Sequence, residues 1–226
     1  MKELYENFVK KPLNMVDSGD LFKKGFFLIL KLLAIATVVF GLYSIISSFG
    51  NYFNSFKGMG GFLIIRSILT FIFTFIISLV AYLAIALIFW KYGDDFKNEE
   101  YSGIALISSR FIKMIGQIIA VLCLSIGVTF LFTAIFAGRP FIPFLSLLQP
   151  FVKLFFGQAS GFLAGLGFAA GIRSAGDYFL NLLRLGVLGF VGSVILSFAF
   201  LVIFYLFAEL YEIVLCFLLR KQVFKK

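Results

Sequence analysis

Charged and apolar positions along this 226-residue chain segregate into long blocks instead of alternating with a short period. Residues 32–56 carry no charge, and the apolar part of that run ends near Phe49. Three further runs, 67–90, 114–138 and 185–208, are charge-free for 24, 25 and 24 residues. An α-helix needs about 20 apolar residues to cross the hydrocarbon layer. The pattern therefore predicts an all-α, polytopic integral membrane protein with spans at 25–49, 62–90, 111–138 and 182–217. Around them lie a polar N-terminal segment (1–20), a charged loop (91–110) and a basic tail (218–226). Unbroken apolar runs of this length do not fit a β-barrel, whose strands alternate.

A fifth run, 154–172, is charge-free for 19 residues but diluted by glycine, and Pro140, Pro143 and Pro150 precede it. Two topologies follow. With four spans and a cytoplasmic N-terminus, Lys57, Arg66, Arg139, Lys153, Arg173 and Arg184 lie outside, and the other fourteen of the 20 basic residues lie inside. With five spans the division is twelve to eight. Cytoplasmic loops are enriched in Lys and Arg, which favours four spans with both termini cytoplasmic. On that topology residues 140–172 form a Gly/Pro-rich apolar insert. Phe141, Phe144, Leu147, Leu148, Phe151 and Phe155 would make an exposed patch too large for a solvated loop. The insert is expected to be re-entrant, to lie in the interface, or to pack on another subunit.

Composition changes the picture mainly by exclusion. Hydrophobic residues are 62% of the chain and charged residues 14%, well away from the balance of soluble domains. There is no histidine, so His-based metal sites and Ser-His or Cys-His nucleophile pairs have no candidates. Cys123 and Cys216 both lie in apolar runs and read as small buried hydrophobes. No Walker-type loop or strand-bound G-x-G-x-x-G occurs, and no cofactor or metal is expected. The net charge of +9 is explained by cytoplasmic flanks, without nucleic acid. The polar first twenty residues do not resemble a secretion signal.

The remaining polar groups are the candidate sites. Lys31, Lys113, Arg66 and Arg184 stand at the edges of the charge-free runs, where long cationic side chains reach the headgroups. Gln117 lies one turn deeper than Lys113 and is placed for an interhelical hydrogen bond. Glu209 and Glu212 sit three residues apart on the fourth span. They read either as a cation site, as partners for Lys31 or Lys113, or as groups already beyond the hydrocarbon. Arg173, Asp177, Asn181 and Arg184 recur at steps of four, four and three, a polar stripe leading into that span. Gly157, Gly161 and Gly165 form a double G-x-x-x-G, a helix-packing surface. Asp94, Asp95, Glu99 and Glu100 around Lys97 read as a solvated turn.

A weak internal repeat is also present. A slide of 86 residues aligns Lys24 with Arg110, Ala34 with Ala120 and Gly41 with Gly127, and a slide of 118 aligns Arg66 with Arg184. The functional expectation is a non-enzymatic scaffold or assembly subunit of the cell membrane, partnered by lipid and by itself or other membrane subunits. The rival is a small channel or transporter lined by the Gly-rich segment and the polar residues of the fourth span.

Overall fold

A computed structural model describes residues 20–54, 56–57, 60–98, 104–137, 141, 143 and 175–223. Helix accounts for 96% of them and no strand occurs among them, so the described chain is all-α. The four helices are α1 (Asp20–Asn54), α2 (Gly61–Asn98), α3 (Ile104–Phe136) and α4 (Ala175–Val223). Each is long and apolar enough to cross a membrane. All four prolines lie outside these helices, and an internal proline would remove a ladder hydrogen bond. After α1, Phe56 N donates to Phe53 O and Lys57 N to Asn54 O; then Gly60 O accepts from Leu63 N and Ile64 N to start α2. Past α3, Ala137 takes φ 49°, a left-handed helix end that normally favours glycine.

The helices run past the apolar blocks. Residues 91–98 continue α2 and 104–110 begin α3, where the charges alone read as one loop. A helix satisfies its own backbone, so it need not stop where the side chains become polar. The insert's Gly157, Gly161 and Gly165, together with Arg173, lie outside the described residues.

The chain divides into two compact units. The first comprises Met1–Ala36, Ile85–Ile118 and Phe200–Lys226. It combines the N-terminal parts of α1 and α3 with the C-terminal parts of α2 and α4. Its apolar core is Leu30, Tyr92, Phe96 and Met114, flanked by Phe26, Ile88, Phe89 and Ile118.

The second unit, Thr37–Ala84 and Ile119–Ala199, is held by rings and by small residues. Phe71 lies 5.0 Å from Tyr52 and 4.9 Å from Phe141, centroid to centroid. Phe141 is 3% exposed, so the first residue after Pro140 is buried against its own chain and does not belong to an exposed patch. Aromatic stacking on α1 and α2 supplies its partners. Ser44 Oγ donates to Pro143 O at 3.1 Å and pins the same segment.

Hydroxyls recur at three- and four-residue steps on α2 (Ser67, Thr70, Thr74, Ser78) and at four-residue steps on α3 (Ser125, Thr129, Thr133). Thr74 and Ser78 each donate to the carbonyl four residues back at 2.8 Å, as do Thr129 and Thr133. Thr74, Ser78, Thr129 and Thr133 are buried with their hydroxyls satisfied by their own helix, and they present a narrow packing face. Glycines extend that logic. Gly41 lies under the Tyr82 ring, Gly127 against Ser193 and the Phe190 backbone, and Gly186 against Ala134.

Candidate functional site

The first unit gathers most of the described charged groups and arranges them as two helix-to-helix locks. On α1, Lys31 points across to α2. Its Nζ lies 2.8 Å from Asp94 Oδ1 and 3.5 Å from the centroid of the Trp90 ring. The lysine side chain is 14% exposed, so its charge is held by a carboxylate and a ring face together. Gly93 makes room beside it, with Lys31 Cε within ordinary contact of where a Cβ would stand. Asp94 is therefore a structural partner of Lys31 on a continuing helix, where the sequence read a solvated turn.

On α3, Ser109, Lys113 and Gln117 fall at four-residue steps and so share a face. That face meets α4. Ser109 Oγ donates to Glu212 Oε1, Lys113 Nζ approaches the same oxygen at 3.8 Å, and Gln117 Nε2 donates to Tyr205 Oη at 2.6 Å. Lys113 Nζ also lies 5.7 Å from the Tyr205 ring centroid. Buried Tyr92 on α2 interacts with Tyr205, with Asp95 and Arg110 in electrostatic reach. The result is a chain of polar contacts from Ser109 to Gln117 that ties three helices. Side by side with it, Gly116 meets Phe204, whose Cβ would stand 2.5 Å from a Cβ added at the glycine.

The two acids on α4 part company. Glu212 faces α3, whereas Glu209 is exposed. Three residues turn a helix through 300°, leaving the two about 60° apart, enough to set one inside the contact face and one at its edge. Of the lysines named as partners, Lys113 pairs with Glu212, while Lys31 belongs to Asp94. Arg66 is half-buried on α2 with its guanidinium 4.9 Å from the Phe62 ring, and Arg184 is exposed on α4. Asp177 and Asn181 are helical positions of α4 whose side chains lie outside the description, as does the Cys216 side chain. Cys123 is a half-buried free thiol.

Sequence reasoning missed Ser109, Tyr205, Tyr92, Trp90 and Asp94. One signal pointed to Asp94: the slide of 118 residues that aligns Arg66 with Arg184 also aligns Asp94 with Glu212. Chemically, these contacts are closed ion pairs and hydrogen bonds between helices. Among the described residues no group of three or more His, Cys, Asp or Glu side chains is placed to hold a metal ion. Comparison with family models, with curated proteins and with solved structures returns no match.

Proposed function

We propose that this chain is a multi-pass membrane protein with a non-enzymatic, structural role, packing with itself or with other membrane subunits. The observation that carries the reading is the breadth of apolar exposure on helices of spanning length. Leu87 is 67% exposed, Phe198 69% and Phe217 78%, each among neighbours of the same kind. In water such a surface aggregates; hydrocarbon solvates it.

The charges support an orientation. Of the twelve lysines and arginines at described positions, only Lys57, Arg66 and Arg184 belong to the second unit, and the other nine belong to the first. By the positive-inside rule the first unit, where α1 begins and α4 ends, is cytoplasmic. Both termini are then cytoplasmic in a cell membrane. The end of α3 and the start of α4 both belong to the second unit. This supports four spans with a re-entrant or interfacial insert over five spans.

The structural role is supported by how the described polar side chains are used. The hydroxyl rows bond to their own helices, and the ion pairs close between helices. On α4, Gly192 is exposed with open space above it, a point of close approach for another helix. The rival transport reading draws on the polar chain from Ser109 to Gln117. Gentle extraction followed by measurement of particle mass and subunit content tests the first reading, and a lone monomer refutes it. Ion flux in reconstituted vesicles that disappears with Glu212→Gln replaces it with transport.

A further inference from the structure

We infer that the seam between α1 and α2 in the first unit binds the phosphate headgroup of an anionic phospholipid. Lys24, Phe27 and Lys31 follow one another at steps of three and four on α1, and Trp90, Asp94 and Lys97 at steps of four and three on α2. The two stripes meet: Lys31 lies against Trp90 and Asp94, and Lys97 Nζ lies 5.3 Å from the Phe27 ring centroid. Lys24 is one turn further toward the start of α1. The seam therefore carries three cations and two acids: Asp94, already engaged by Lys31, and Asp20, which opens α1 four residues before Lys24. Lys24 and Lys97 are both exposed, and neither forms an ion pair with an acid whose side chain is described.

This arrangement selects a charge class. Two exposed ammonium groups attract a phosphodiester that bears a net negative charge, and they repel the cationic amine of a zwitterionic headgroup. Trp90, 48% exposed, lies beside them, and tryptophan side chains prefer the headgroup level of a bilayer. The α3–α4 face differs, because Lys113 is matched by Glu212 and exposed Glu209 stands nearby on α4. Counted over described positions of the first unit, the two helix pairs carry equal net charge (five cations against three acids on α1–α2, four against two on α3–α4), so what sets the α1–α2 seam apart is the pair of exposed lysines beside the exposed Trp90 ring.

Trp90 is the only tryptophan in the chain, so the site reports on itself. The protein is reconstituted into phosphatidylcholine bilayers with increasing fractions of acyl-brominated phosphatidylglycerol or, separately, acyl-brominated phosphatidylcholine, and Trp90 quenching is recorded. Stronger quenching by the phosphatidylglycerol is expected, with a relative affinity of roughly five-fold for each lysine that engages. Lys24→Gln with Lys97→Gln removes the preference, while Lys57→Gln with Arg184→Gln, which deletes two exposed cations of the second unit, leaves it. The preference of the unaltered protein also falls as salt rises from 50 to about 500 mM, a measurement that needs no variant to fold. Equal quenching by both lipids overturns the inference, as does equal loss in both double variants. Displacement by millimolar inorganic phosphate overturns it too, since the ligand would then be the bare anion. The site presupposes the bilayer reading, and the outcomes separate: outside a bilayer neither lipid quenches, whereas without a site both quench alike.

Discussion

Gly116→Ala tests whether α3 and α4 are held apart by the width of one glycine. A Cβ at residue 116 would stand 2.5 Å from Phe204 Cβ and 3.0 Å from its Cγ. The ring can swing aside, but Cβ is fixed to the α4 backbone, so relief requires α4 to retreat by roughly 1 Å. The neighbouring Gln117–Tyr205 bond, now 2.6 Å, would stretch beyond hydrogen-bond reach, and the 3.8 Å approach of Lys113 to Glu212 would open. Overpacking costs about 1–3 kcal/mol and the lost interhelical bond about 0.6. The better helix propensity of alanine returns about 1 kcal/mol. The expected net loss is about 1–2 kcal/mol, read as a shift in reversible unfolding in mixed micelles by circular dichroism and Trp90 fluorescence. The contact identity gives a sharper form. In a Phe204→Ala background the offending Cβ remains, so Gly116→Ala still destabilises; in a Phe204→Gly background it becomes neutral or favourable. An equal penalty in both backgrounds refutes the close-approach argument.

The same reasoning applies in the second unit, where a Cβ at Gly186 would collide with that of Ala134: Gly186→Ala should cost about 1–3 kcal/mol and be rescued by Ala134→Gly, measured as a double-mutant cycle. The Tyr82 hydroxyl is buried without a hydrogen-bond partner among the described residues, although Ser44 is close by; Tyr82→Phe should be neutral or stabilise by up to about 1 kcal/mol in the same unfolding assay, and a loss would reveal a partner. Lys31→Met leaves Asp94 nearly half exposed to solvent, so the expected loss is at most about 1 kcal/mol, accompanied by a changed Trp90 emission as the ammonium leaves the ring; unchanged emission would sink the cation–ring contact. Glu212→Gln should weaken the α3–α4 contact and Glu209→Gln should not, and equal thermal shifts for the two would contradict their separation.

Much of the helical framework was legible because transfer into hydrocarbon is a summed property of side chains, and 24-residue runs leave little ambiguity. What sequence could not settle was rotation. Glu209 and Glu212 look alike in a string, and only the azimuth of α4 against α3 assigns one to Ser109 and Lys113 and the other to the surface. Asp94 was misread for a related reason. The charges around it are those of a turn, but a helix that runs past its apolar block has no need to unwind, so α2 carries Asp94 back to Lys31. Phe141 was assigned to an exposed patch because its sequence neighbours are apolar; its burial depends on Phe49, Tyr52 and Phe71, which lie 70 or more positions earlier.

The weak repeat pairs two helical hairpins, α1–α2 and α3–α4. Asp94 and Glu212 are related by the slide of 118 residues, and each accepts a lysine from the helix before its own, Lys31 and Lys113. The two lysines are not related by the slide of 86: Gln117 stands where Lys31 would map, one turn from Lys113. At Gln117 the second hairpin has a neutral bond to Tyr205 instead of an ion pair, and its lysine is moved one turn toward the start of α3. In the first hairpin Trp90 stabilises the ammonium where it stands. The position four residues before Glu212, Ala208, is fully buried and offers no ring face to a cation. A lysine at 117 would therefore lack the close tryptophan face that Lys31 has, and the ring within reach on α4 is that of Tyr205, which binds Gln117 through its hydroxyl and lies 5.7 Å from Lys113 Nζ.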